Sequence, residues 1–202
     1  MEINELAKLW GEHYQTTQDE AKMGRFAQEM SQPANEELLK LAQLGASAFS
    51  EGETGIPSNV FNNLLYHTMY HESGAAGGTP RRTQGYLNTD TGEWVSQGPA
   101  GSYAQVEPQT LRDIVTVEHN GVLKPSTAYF GPKSAELTGF TAKQLANMSD
   151  EQLKNALANP DNQILGAVAA AAKYAKSFRN KAVNDTMDSY NKVEDIYNAP
   201  TK

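Results

Sequence analysis

Apolar residues along most of this chain recur at steps of three and four, the spacing of a helix with one buried face. Near the N-terminus Ile3, Leu6, Leu9 and Trp10 share such a face, and a second helix is expected over Asp19–Met30. Beyond Pro33, the positions Leu38, Leu39, Leu41, Ala42, Leu44 and Ala48 mark a broad apolar face across Glu36–Phe49. Glu51–Gly55 reads as a turn-rich break. Pro57 suits the first turn of the following helix, where its missing N–H costs nothing. That helix runs to about Ser73 and ends at Gly74.

The pattern then changes. Glycines and prolines crowd residues 75–101 and disfavour helix there. Tyr86–Asn88 and Glu93–Val95 flank the turn sequence Thr89-Asp90-Thr91-Gly92, which predicts a small exposed β-hairpin flap. Helix returns after Pro108, and a looser stretch covers His119–Gly139. Two capping boxes, Thr141 with Gln144 and Ser149 with Gln152, each predict a short helix. Pro160 opens a longer helix to about Arg179, and Val183–Tyr197 forms the last. The expected fold is mainly α with one small β element, organised as an N-terminal helical extension (1–50) and a main domain (51–202).

Charge and composition narrow the functions open to such a fold. The formal net charge is −7, so a protein devoted to nucleic acid, which carries a basic face, is not expected. There are no cysteines, which excludes disulfides and thiolate metal sites. The alanine-rich run Ala167–Ala172 falls far short of the roughly 20 apolar residues that span a bilayer. No basic stretch followed by an apolar run opens the chain, so neither a membrane span nor a signal peptide is expected.

Candidate chemistry centres on the helix after Pro57. Phe61, Leu65, Thr68 and Glu72 follow one another at steps of four, three and four, and therefore share a face. A carboxylate at the end of a core-facing stripe is partly desolvated, and a glutamic acid kept protonated can act as the general acid of glycoside hydrolysis. Taken on this helix alone, an exposed or ion-paired glutamate at a helix end is the commoner arrangement.

Other constellations carry less. His67 and His71 have the spacing of a zinc-binding pair, but Thr68 occupies the position where zinc peptidases place glutamate, and no metal site is expected. Gly74–Gly78 with Arg81 and Arg82 lacks the phosphate-loop pattern, and the arginines either contact substrate carboxylates or solvate the loop. Tyr86, Trp94 and Tyr103 can stack on sugar faces or pack locally.

The words around Glu72 sharpen the reading. Gly55-Ile56-Pro57, the apolar helix and His71-Glu72-Ser73-Gly74 resemble the opening motif of the soluble lytic transglycosylases. Gly101-Ser102-Tyr103-Ala104-Gln105, followed by Pro108 and Thr110, is similar to the second motif. Asn159 to Ile164, with Gly166 and Tyr174, resembles the segment leading into the family's long helix, and Ser189-Tyr190-Asn191 resembles its late Tyr-Asn motif. Gly98-Pro99-Ala100-Gly101 and Val106-Glu107-Pro108 look like the phage virion-associated branch. Ser102 and Ala104 stand where the family carries larger apolar residues, and Lys192 follows the Tyr-Asn pair in place of a small residue.

The resemblance covers about residues 55–197 and implies a lysozyme-like α+β fold, two lobes around a sugar-binding groove. It implies cleavage of the β-1,4 bond between N-acetylmuramic acid and N-acetylglucosamine without a cofactor. Glu72 would be the single acid and base, with the muramyl 6-hydroxyl as nucleophile. Ser73, Tyr103, Gln105, Tyr190 and Asn191 would contact substrate or the catalytic carboxylate. A second carboxylate drawn from Asp90, Glu93 or Glu107 would make the enzyme a hydrolysing lysozyme instead. The implied partners are peptidoglycan strands and, through the N-terminal helices, other virion proteins. The implied location is the virion, acting on the cell wall during genome entry. An inactive, structural lysozyme-like virion protein is the alternative from a different class.

Overall fold

The computed structural model describes residues 33–75 and 80–197, with side chains over 35–75 and 80–180. The two helices expected before Pro33 lie outside the described residues. The chain is mainly helical, an α-dominated α+β fold with two small antiparallel hairpins.

Helix α1 (Pro33–Ser47) and the single turn α2 (Glu51–Thr54) lead into α3 (Ser58–Glu72). The hairpin of β1 (Thr83–Leu87) and β2 (Trp94–Gly101) follows, then α4 (Pro108–Val115). A second hairpin, β3 (Thr116–His119) with β4 (Val122–Pro125), precedes α5 (Pro132–Thr138), α6 (Ala142–Ala146) and α7 (Asp150–Ala158). A 3-10 turn at Pro160–Asn162 opens the last helix, α8 (Gln163–Tyr197).

The core forms around the first half of α8. Leu165, Ala167, Val168, Ala169, Ala170, Ala171 and Ala172 are all buried, so this stretch is apolar on every side, as a central helix must be. Its small residues bring neighbours close. A Cβ at Gly45 on α1 would lie 2.8 Å from the Ala167 backbone, a contact only glycine allows. Around α8 lie Leu38 and Ala42 of α1, Phe61 and Leu65 of α3, Leu111 of α4 and Leu153 of α7, each fully buried or nearly so. The core thus runs continuously across residue 50, and the expected 1–50 extension contributes α1 to it.

Local signals formed the elements they encode. Thr141 accepts from the Gln144 N–H while the Gln144 side chain accepts from the Thr141 N–H, and Ser149 with Gln152 repeats the arrangement. A third box, Ser50 with Glu53, starts α2 within the segment expected to be only a turn-rich break. Gly74 lies at φ +74, the left-handed conformation that ends α3.

Two expectations need correction. The helices expected over residues 160–179 and 183–197 are one helix, α8; no glycine or proline falls between Ala167 and Tyr197, so nothing interrupts propagation. The loose stretch His119–Gly139 also holds part of the β3–β4 hairpin and helix α5. The Asn120-Gly121 turn, at φ +53 and +76, is the strongest short-range hairpin signal a sequence carries.

Candidate active site

Glu72 is the last residue of α3, and the helix face leading to it is graded. Phe61 and Leu65 are buried, Thr68 is half-buried, and Glu72 is exposed. The partial burial expected of Glu72 is therefore corrected: the stripe leaves the core one turn before it. Thr68 is tied to α8 by a 2.8 Å hydroxyl–hydroxyl bond to Tyr174, which anchors α3 one turn ahead of the carboxylate. Ser73, the next residue, is 1 % exposed.

Glu72 faces a groove of about 540 Å³ between the end of α3, the β1–β2 hairpin and the turn before α4. Ser73 and Gln105 line the same groove, so side chains from two separate stretches of the chain converge there. Arg81, Trp94 and Glu107 complete its polar and aromatic walls.

The Gln105 turn is held under strain. Ser102 and Gln105 both adopt positive φ, +64 and +46, a conformation that costs a non-glycine residue on the order of 1–3 kcal/mol and persists only where its surroundings enforce it. Here the enforcement is visible. Gly101 and Val106 exchange backbone hydrogen bonds of 3.0 and 2.9 Å across the turn, and the Tyr103 N–H donates to buried Gln163 Oε1 at 3.3 Å. Ser102 packs its side chain directly against Gly166 of α8. That contact leaves room for only a small residue at position 102.

The Gln105 amide is oriented by its donors. Nε2 donates to the carbonyls of Ser102 (2.9 Å) and Arg81 (3.2 Å). Oε1 is buried and has no hydrogen-bond partner among the described residues.

Arg81 joins the pieces. Its N–H donates to the Ser73 carbonyl at 2.7 Å, its carbonyl accepts from Gln105, and its guanidinium lies 4.9 Å from the Trp94 ring centroid. Trp94 is fixed in turn by its pairing with Leu87 and by its indole N–H, which donates to Thr83 at 3.3 Å.

The remaining predicted residues fall elsewhere. Tyr103 is buried away from the groove: its hydroxyl donates to Glu37 at 3.1 Å and its ring carries the Arg82 guanidinium at 5.2 Å. Burial, then the Glu37 carboxylate, raises its phenol above the ordinary value. Tyr190 and Asn191 lie on α8 beyond residue 180, outside the residues whose side chains are described. His67 and His71 bring their rings to 4.4 Å, and among the described residues no group of three metal-ligating side chains converges. Of the three carboxylates considered as a second acid, Glu107 lines the groove, whereas Asp90 and Glu93 belong to the exposed hairpin turn. Arg81 and Trp94, for which the sequence leaves open either substrate contact or a purely local role, both line the groove.

No protein-family model, curated protein or solved structure matches this chain. Among the described residues no helix is long and apolar enough to cross a membrane.

Proposed function

We propose that this chain is a peptidoglycan lytic transglycosylase of the phage virion-associated kind, with Glu72 as its single acid and base. The observation that carries the reading is the convergence of Glu72, Ser73 and Gln105, from two separate motif-like stretches, on one groove. In the proposed reaction Glu72 donates its proton to the glycosidic oxygen as the bond to the muramyl C1 breaks. The carboxylate then takes the proton of the muramyl 6-hydroxyl as that oxygen closes on C1, giving a 1,6-anhydro end. The nucleophile belongs to the substrate, so no second carboxylate is needed.

A virion location and docking through the N-terminal helices rest on the sequence resemblance, and those helices lie outside the described residues. Glu107 favours a second reading, a hydrolysing lysozyme, because it lines the same groove as Glu72. The rival from another class is an inactive structural virion protein. Digestion of purified sacculi separates these classes: the wild type should release soluble fragments and Glu72→Gln should not. A wild type that releases none, where a control muramidase does, overturns the enzymatic reading.

A further inference from the structure

Among the described groove-lining residues Arg81 is the sole lysine or arginine, and its setting differs from that of its neighbours. Arg82 pairs with Glu37 at 3.9 Å and Arg112 with Asp150 at 2.6 Å. Arg81 has no carboxylate partner among the described residues, although Glu72 and Glu107 line the same groove. Its guanidinium is held instead over Trp94, and its backbone is pinned at both ends, to Ser73 and to Gln105. A guanidinium resting on an indole keeps its in-plane N–H fork for another partner, and that fork matches a carboxylate. The indole contact restricts the side chain before a ligand arrives, which favours binding.

We propose that Arg81 reads a carboxylate carried by the glycan strand and so makes the groove selective for carboxylated strands over uncharged ones. This deepens the glycan-cleaving reading and rests on it. Two sources supply the chemistry, the peptide stems and the lactyl group left when stems are removed.

The test is binding, measured with full-length Glu72→Gln so that cleavage cannot intervene. Co-sedimentation uses three preparations of the same sacculi: intact, stripped of stems by an amidase, and amidated with carbodiimide so that stem carboxylates become neutral. The expected result is a loss of roughly tenfold in affinity on amidation, the size of one charge-assisted pair. Adding Arg81→Gln should produce a similar loss on intact sacculi and make binding insensitive to amidation, while Arg81→Lys retains part of the sensitivity. If stripping weakens binding as amidation does, only the stem carboxylates are read; if it does not, the lactyl carboxylate freed by the amidase is read in their place. The proposal is overturned if Arg81→Gln still responds to amidation as its parent does, or if it binds intact sacculi as tightly as its parent. A protein that binds sacculi through Arg81 but never cleaves them overturns the enzymatic reading alone; one that binds no sacculi overturns both.

Discussion

The side-chain amide of Gln105 donates to the carbonyl of Arg81 at 3.2 Å. One bond thereby links the strained turn before α4 to the segment leading into β1, and the Arg81 N–H passes the link on to Ser73 beside Glu72. The groove is therefore assembled through backbone groups of the flap, with side chains from α3 and the turn attached to it.

Gln105→Glu tests this assembly. A carboxylate would face two carbonyls that now accept from an amide, leaving them without their donor. The variant should lose roughly 1–3 kcal/mol in urea unfolding at neutral pH, and recover part of it at acidic pH, where the protonated acid regains a donor. Stability equal to the wild type at both pH values would show that the link contributes nothing.

Helix α1 should behave as core. Leu38 is fully buried, and its replacement by alanine should cost about 2–5 kcal/mol. Gly45→Ala drives a methyl into the Ala167 backbone and should cost about 1–3 kcal/mol by overpacking. Thermal unfolding measures both. Near-neutral effects would mean that α1 is separable from the domain.

Tyr103 gives an alkaline signature. Its phenol is raised in the folded state above the ordinary value of 10.0, first by burial and then by Glu37. The unfolded chain thus loses this proton first, so the stabilisation is complete below about pH 10 and is lost as pH rises through the folded value. Tyr103→Phe should flatten this part of the decline in a stability–pH series, compared with the wild type. An identical decline in both proteins would remove Tyr103 as its source.

What the sequence made legible was mostly local. Capping boxes and the Gly74 stop are encoded within four residues, and both formed as written. The β1–β2 flap was legible from its turn, although its bulge, where Pro99 avoids the ladder between the Gly85–Ser96 and Thr83–Gly101 pairs, was not. Helical periodicity tells which residues share a face, but not where that face leaves the core. Hence Glu72 was grouped correctly with Phe61 and Leu65, yet is exposed. Tyr103 was misplaced for a related reason: an aromatic next to a motif glutamine can face the groove or the core, and only its contact with Glu37 of α1 decides. Arg81 enters the site through its backbone bonds to Ser73 and Gln105, long-range relations that leave no periodic trace.

The role of Glu72 is tested most directly by mass spectrometry of the fragments released from purified sacculi by wild-type protein and by Glu72→Gln. Glu72 is exposed, so the substitution should leave stability within about 0.5 kcal/mol, and any loss of cleavage reports on chemistry. The wild type should give 1,6-anhydromuramyl ends and the variant none. Undiminished cleavage by Glu72→Gln would contradict that role, and reducing ends from the wild type would replace the transglycosylase by a hydrolase that uses a second carboxylate.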